Sequence, residues 1–170
     1  MTRARKRLAI GSAAVGLVAL SAVIRVDPII VWNASASVPI GFYVVRDVDT
    51  PAIGDLVVVS PPAPLSDWLL EHGYLGADVP LIKYVGALPG QEVCRHGRSI
   101  RIDGRVVATA KSLVRFVRRV AVWQGCHRID EDEFFFLNGA QPSSLDGRYF
   151  GTLPSDTIIG RAVPLRTREG

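Results

Sequence analysis

The chain has 170 residues, of which 48% are hydrophobic, and a formal net charge of +4. This length is enough for one domain with a hydrophobic core. Arg3, Arg5, Lys6 and Arg7 supply four of the 20 basic residues, and the remaining 16 balance the 16 acidic residues. Because the excess positive charge lies in the first seven residues, the composition argues against a nucleic-acid-binding protein.

An uncharged apolar segment, residues 8–24, follows the basic residues 1–7 and ends before Arg25. Its length is at the lower limit for a membrane-spanning helix and exceeds that of most signal-peptide apolar regions. The segment predicts either a retained transmembrane anchor, which we favour, or a cleaved signal segment with small residues near Ala19 and Ser21. In both cases residues 25–170 form a domain outside the cytoplasm, and the basic residues 1–7 stay inside.

Short apolar runs separated by turn residues follow this segment and predict strands. The runs are residues 42–46, 55–60, 81–85, 113–123, 133–138 and 157–165. Residues 99–107 predict a hairpin, because Asp103-Gly104 is a pair that type I′ turns favour. One helix is expected at residues 66–73, with Ser66 as its N-cap and Gly73 at its end. The pattern predicts a mainly β domain, an antiparallel sheet or barrel with one small helix.

The chain contains two cysteines, Cys94 and Cys126. An even number of cysteines in an exported domain permits one disulfide, and two unpaired buried thiols are the alternative. Their spacing fits no zinc-binding pattern, so we expect no metal site.

The residues that could act as a catalytic base are few. His72, His96 and His127 each lie in a polar, turn-like context, and the chain has no GxSxG or SxxK motif, so a Ser-His-Asp triad is disfavoured. Lys83 instead interrupts an apolar run and would share a strand face with Leu81. If that face is buried, the pKa of Lys83 falls, and the neutral amine can take a proton from a serine hydroxyl. The alternative is a lysine that protects an edge strand.

Four sequence blocks surround these residues in order. They are NASASVPIGFY (33–43), LIKYVGALPGQEVC (81–94), IRIDGRVV (100–107) and FFFLNGAQPSSLDGRYFGTLP (134–154). Together they resemble the type I signal peptidases and, within these, the TraF-type conjugative-transfer peptidases. The resemblance extends over residues 33–165, with Tyr84 as a departure where the family usually has arginine.

The resemblance implies a Ser/Lys dyad. Ser37 matches the nucleophile, Lys83 the general base, and Ser35 the position whose hydroxyl, with the Ser37 N–H, forms the oxyanion hole. Ser35 and Ser37 are two residues apart, so on an extended segment they would face the same side. A solvated loop hydroxyl is the alternative role for Ser35.

Asp146 matches an acidic residue that TraF-type enzymes need for activity, and Arg148 and Tyr149 resemble structural supports. Asp146 could form a salt bridge near Lys83 or fix the turn before Arg148. Close pairing with Lys83 would raise the lysine pKa and oppose base catalysis, so we favour an indirect role.

The resemblance implies a membrane-anchored serine endopeptidase of the bacterial inner membrane, with its catalytic domain in the periplasm. Its substrate would be a pre-pilin or another exported precursor, processed through an acyl-enzyme that water, or the substrate's own N-terminal amine, resolves. The expected partners are the lipid bilayer and components of a conjugation or type IV secretion complex, and no cofactor is needed. A general type I signal peptidase and a non-catalytic, membrane-anchored scaffold of such a complex are the alternatives.

Overall fold

The computed structural model describes residues 7, 10–16, 29–111 and 123–168. Residues 10–16 are helical, and no helix within the described ranges is long and apolar enough to cross a membrane. Most of the predicted span at residues 8–24 lies outside these ranges, as does the predicted strand at residues 113–123 except for Trp123. Both therefore stay predictions.

The described residues form eleven strands, all paired antiparallel. They are β1 (Ile30–Asn33), β2 (Ile40–Arg46), β3 (Leu56–Val59), β4 (Leu81–Ala87), β5 (Glu92–His96), β6 (Ser99–Ile102), β7 (Arg105–Thr109), β8 (Gly125–Arg128), β9 (Glu133–Phe136), β10 (Thr152–Pro154) and β11 (Ile158–Arg168). In this part of the chain one sheet has the order β1-β2-β11-β3-β4-β9-β10, and a second has the order β7-β6-β5-β8. The prediction of a mainly β, antiparallel domain is confirmed.

The helix α1 (Ala63–Glu71) connects β3 to β4, and a short helix α2 (Gly147–Phe150) precedes β10. The predicted N-cap is wrong, because α1 begins at Ala63 with Pro62 at its N-cap position. Prolines are tolerated at this end since the first helical turn does not need their missing N–H. Ser66 lies inside the helix and donates its hydroxyl to the Ala63 carbonyl at 3.1 Å. Gly73, with φ of +69°, lies just beyond the helix in the left-handed conformation that often ends helices.

The aromatic run on β9 connects the two sheets. Phe135 and Phe136 are both fully buried and point to opposite faces of the strand. Phe136 packs with Val57, Trp68 and Leu69 beneath α1. Phe135 packs in a separate cluster with residues of the second sheet. Because both faces of β9 are buried at residues 134–136, these three positions are all apolar and do not alternate with polar residues.

The second sheet carries two features that bear on the sequence predictions. Its β6–β7 hairpin turns at Asp103 and Gly104, whose φ values are +48° and +76°, which confirms the predicted turn. Cys94 on β5 pairs with Cys126 on β8, and the two form a disulfide. The structure thus selects the disulfide over the free thiols.

Candidate active site

The loop of residues 34–39, here called the serine loop, joins β1 to β2 and carries both serines. The two strands pair up to Asn33 and Gly41, so the loop closes a hairpin. Val38 anchors it by burying its side chain in the core. Gly41 has no room for a side chain, since a Cβ there would lie 2.1 Å from the carbonyl oxygen of Arg166 on β11. Packing therefore fixes the serine loop at its C-terminal end.

The two serine hydroxyls lie side by side, with Ser35 Oγ 2.8 Å from Ser37 Oγ. Residues 35–38 form a turn and not the extended segment that the sequence spacing assumed. The side chain of Asn33 bonds to the backbone of the loop and folds it inward, which explains the difference. The expectation that both hydroxyls share one side holds, although for a different reason.

The side chain of Lys83, on β4, extends to the serine loop. It is only 4% exposed, and its Nζ lies 3.2 Å from Ser37 Oγ. Burial lowers the pKa of Lys83 to about 8, while the negative charge of Asp146 raises it and the positive charge of Arg148 lowers it. With that pKa, roughly a tenth of the lysine is neutral at pH 7. Because β4 lies between β3 and β9, protection of an edge strand does not explain this lysine.

Asp146 and Arg148 form an ion pair that is almost completely buried, with 0% and 1% of their side chains exposed. The Asp146 carboxylate accepts from Arg148 Nε at 2.8 Å and Nη2 at 2.7 Å, and it caps α2 by accepting from the Arg148 N–H at 3.2 Å. Among the described residues, Arg148 and not Lys83 is the ion-pair partner of Asp146. Arg148 Nη2 also donates to the carbonyls of Asn138 and Gln141 at 2.9 and 2.8 Å. The carboxylate thus shapes the loop between β9 and α2.

Two amides in that loop, missed in the sequence, hold the serine loop. Asn138 Nδ2 donates to the Ser37 carbonyl at 2.5 Å, and Gln141 Nε2 donates to the Ala36 carbonyl at 3.2 Å. Both residues lie in the last of the four sequence blocks, but nothing local in the sequence separates them from other loop residues. Their partners are about a hundred positions away in the chain.

The two residues expected to be structural supports are buried. Tyr149 lies in the core, and its hydroxyl accepts from the Lys111 N–H at 3.2 Å. Arg148 receives a further hydrogen bond, from the guanidinium of Arg95 to its carbonyl oxygen. These contacts join α2 to the second sheet and to the start of the segment after β7.

Ser35 and Lys83 line a cleft of about 240 Å³ between β1, β4 and the segment after α1. Tyr74, Leu75 and Val79 form its outer wall. Tyr74 stacks on Trp68, with ring centroids 5.4 Å apart. The cleft is a largely apolar groove that includes Ser35 and Lys83 in its lining.

Within the described residues, none of the three histidines forms a hydrogen bond with Ser35, Ser37 or Lys83. His72 Nδ1 bonds to the Trp68 carbonyl, and His127 bonds to Glu133 at 2.6 Å. His127, Glu133 and Asp130 bring possible metal-ligand atoms within 4.8 Å of one another, mostly on exposed side chains. None of these three is hydrogen-bonded to Ser37 or Lys83 within the described part of the chain.

A serine hydroxyl beside a buried lysine, on an antiparallel β fold, fits a peptidase site of the Ser/Lys type. Residues 4–165 match the family described as signal peptidase, peptidase S26, and the chain belongs to this family. The sequence-based recognition is confirmed.

Two curated relatives are conjugation proteins. The chain is 37% identical over 147 residues to the conjugal transfer protein TraF of Agrobacterium fabrum, covering 79% of this chain and 81% of that protein. It is 32% identical over 145 residues to the probable conjugal transfer protein TraF of Sinorhizobium fredii, covering 79% and 76%. A crystal structure of a signal peptidase I from Enterococcus faecalis aligns with 68% of this chain and 98% of that chain, with 20% identity and a TM-score of 0.40.

Proposed function

We propose that this protein is a membrane-anchored serine endopeptidase that processes exported precursor proteins and matures a conjugative pilin. The observation that carries the proposal is the approach of the buried Lys83 amine to the Ser37 hydroxyl, at 3.2 Å. A lysine enclosed in this way can act as a base, which an exposed lysine cannot do near neutral pH.

The dyad would work in two half-reactions. Neutral Lys83 takes the Ser37 proton while Ser37 Oγ attacks the carbonyl carbon of the scissile peptide bond. The resulting lysine ammonium then gives that proton to the leaving amine as the carbon–nitrogen bond breaks, which leaves an acyl-enzyme on Ser37. Lys83 next deprotonates a water molecule that attacks the ester, and that proton passes to Ser37 Oγ as the carbon–oxygen bond breaks. The product leaves as a carboxylic acid, which gives its remaining proton to the solvent.

Ser35 would stabilise the negative charge that forms on the carbonyl oxygen. Its hydroxyl lies 2.8 Å from the attacking oxygen, within reach of an oxyanion bound there. With the Ser37 N–H it would form an oxyanion hole, where one donor typically contributes about 3 kcal/mol to lowering the barrier.

The cleft between β1 and β4 is the path that a peptide would take to the dyad. Its apolar wall suits an extended segment with uncharged side chains. The family resemblance implies small side chains next to the cleaved bond, as at Ala-x-Ala sites.

An exposed apolar face next to the serine loop supports a position at the membrane. Ile30, Trp32 and Phe42 are all exposed on β1 and β2, and the two rings meet edge to face at 4.6 Å. Tryptophan is enriched where protein meets the lipid headgroups. With the predicted span at residues 8–24, this face would hold the catalytic domain at the periplasmic side of the inner membrane, where exported precursors emerge.

The names of the two relatives favour a pre-pilin and a conjugation or type IV secretion complex as partners. A general type I signal peptidase and a non-catalytic scaffold are the competing functions. The acyl-enzyme could pass to water or to the N-terminal amine of the pilin itself, which would close a cyclic product.

The test is co-expression with a pre-pilin in cells that lack this protein. Ser37→Ala and Lys83→Ala should abolish processing, whereas Lys111→Ala, at the other lysine of the described domain and on the surface, should leave it unchanged. Processing by both dyad variants would refute the proposed peptidase activity and favour the non-catalytic scaffold. Processing of unrelated exported precursors would identify a general signal peptidase. A mature pilin lighter by one water than the linear product would show cyclisation.

A further inference from the structure

The side chain of Asn33, the last residue of β1, lies inside the serine loop and is 8% exposed. Its Nδ2 is 2.7, 3.0 and 3.1 Å from the carbonyl oxygens of Ser35, Val38 and Pro39. Its Oδ1 accepts from the Ser35 N–H at 3.1 Å and from the Ser35 hydroxyl at 3.0 Å. The amide therefore fills the interior of the loop and ties its backbone together.

The contacts allow only one orientation of this amide. Carbonyl oxygens can only accept and the Ser35 N–H can only donate, so the nitrogen must face the three carbonyls and the oxygen must face Ser35. A flipped amide would oppose donor to donor and acceptor to acceptor. Because Asn33 Oδ1 is an acceptor in this position, the Ser35 hydroxyl is the donor in the bond between them.

The single proton of the Ser35 hydroxyl thus has two acceptors within reach. One is Asn33 Oδ1 at 3.0 Å, and the other is Ser37 Oγ at 2.8 Å. A proton donated to Ser37 would engage a lone pair of the attacking oxygen and lower its nucleophilicity. A proton donated to Asn33 leaves that lone pair free.

We infer that Asn33 is a positioning residue that holds the Ser35 proton away from Ser37 before the attack and releases it to the oxyanion afterwards. The release is a rotation about the Ser35 Cβ–Oγ bond, in which no covalent bond changes. A hydrogen bond to a charged oxygen is about twice as strong as one to a neutral amide, so the oxyanion draws the proton from Asn33. This inference rests on the proposed function and adds a residue to it.

The test is a double-mutant cycle on acylation by 4-nitrophenyl acetate, a probe that needs no knowledge of the natural substrate. Nitrophenolate release gives the rate, intact mass gives the acyl-enzyme, and Ser37→Ala gives the background. We expect Asn33→Ala and Ser35→Ala each to slow acylation by roughly 100-fold. If Asn33 acts through Ser35, the double variant should lose far less than the product of the two losses.

Asn138→Ala is the matched control. It removes an equivalent amide that holds the same loop but contacts the Ser37 carbonyl and not the Ser35 hydroxyl. In the double variant Asn138→Ala/Ser35→Ala, the two losses in acylation rate should multiply. The midpoint of the pH–rate profile should stay unchanged in Asn33→Ala, because this neutral side chain forms no hydrogen bond with Lys83.

Three outcomes would overturn the inference. They are multiplicative losses for Asn33→Ala with Ser35→Ala, an unchanged acylation rate in Asn33→Ala, and a shifted pH midpoint, which would indicate a collapsed dyad. If melting curves show that Asn33→Ala does not fold, Asn33→Ser takes its place in the cycle, since its shorter side chain removes the acceptor facing Ser35 and keeps a donor for the loop carbonyls. Wild-type protein that is not acylated at Ser37 would refute the proposed function as well, whereas the other outcomes leave that function standing.

Discussion

Asn138 donates its side-chain N–H to the carbonyl of Ser37 at 2.5 Å, although 101 positions separate the two residues. The backbone N–H of Asn138 in turn donates to Asp146 at 3.1 Å, and its carbonyl accepts from Arg148. A continuous set of hydrogen bonds thus runs from the buried ion pair to the backbone of the expected nucleophile. Asp146 reaches Ser37 through Asn138, in keeping with the indirect role favoured for it.

Replacing Asn138 should impair catalysis more than binding. In Asn138→Ala the Ser37 backbone loses its support, and a misplacement of about 1 Å can cost roughly 100-fold in rate. We expect kcat to fall about 10- to 100-fold with KM nearly unchanged, measured by steady-state kinetics on a processed peptide. Gln141→Ala is the comparison, because the hydrogen bond from Gln141 to the Ala36 carbonyl is longer and exposed. We expect kcat of this variant to fall by less than about threefold. Equal losses in the two variants would contradict a specific role for Asn138.

The rate of the enzyme should depend on pH through Lys83. Only the neutral amine can accept the Ser37 proton, and burial lowers the pKa of Lys83 to about 8. We expect kcat/KM to fall about tenfold per pH unit below a midpoint near that value. Lys83→Arg should be inactive at every pH, since arginine keeps its proton. Ser35→Ala should lower the whole profile without moving the midpoint, and a profile flat from pH 6 to pH 9 would exclude Lys83 as the base.

The sequence predicts the parts of the fold that local chemistry decides. Asp103 and Gly104 mark a hairpin because few other residues adopt positive φ at both turn positions. Alternation and turn residues also place β2, β3, β4 and β9 within a few residues. The predicted start of α1 is wrong. Serine is a common N-cap, so the sequence favours Ser66, but the helix already begins at the prolines before it. The short strand β1 was missed, since its four residues carry no clear pattern.

In the candidate site, too, the sequence predicts some residues and misses others. Lys83 stands out because a charge in an apolar run must be explained, and the family resemblance pairs it with Ser37. Asn33 and Asn138 do not stand out, since asparagine is common in loops and its value here depends on carbonyls that tertiary folding brings within reach. Local pattern and the family resemblance therefore indicate the groups proposed to react, while the residues that hold them emerge only from the structure.

Lys83 should make the protein less stable than an apolar residue would. The pKa of Lys83 is about 8 in the folded state and 10.5 as a free side chain, so the unfolded state binds more protons between these values. Stability of the wild type should accordingly rise from pH 8 to pH 10.5. Below pH 8 the buried ammonium costs about 3 kcal/mol, and Lys83→Met should recover part of this.

Denaturant unfolding at pH 6 and pH 10 measures this effect. The stabilisation by Lys83→Met should be larger at pH 6 and shrink at pH 10. Lys111→Met, at an exposed site, should change the free energy of unfolding by less than about 0.5 kcal/mol at either pH. A Lys83→Met variant that is less stable than the wild type at pH 6 would show that the ammonium is well compensated.

Removing the charge of Asp146 should alter both stability and the pH profile. Asp146→Asn leaves the Arg148 guanidinium buried without its anion, which typically costs about 3–5 kcal/mol. The negative charge of Asp146 raises the pKa of Lys83, so its loss should move the midpoint of the pH–rate profile below about 8. The exposed Asp156→Asn, which removes the same charge from the surface, should change neither quantity measurably. Thermal melts measure the loss of stability, and a pH–rate series measures the midpoint. An upward shift of the midpoint would mean that Asp146 acts on Lys83 by a route other than its charge.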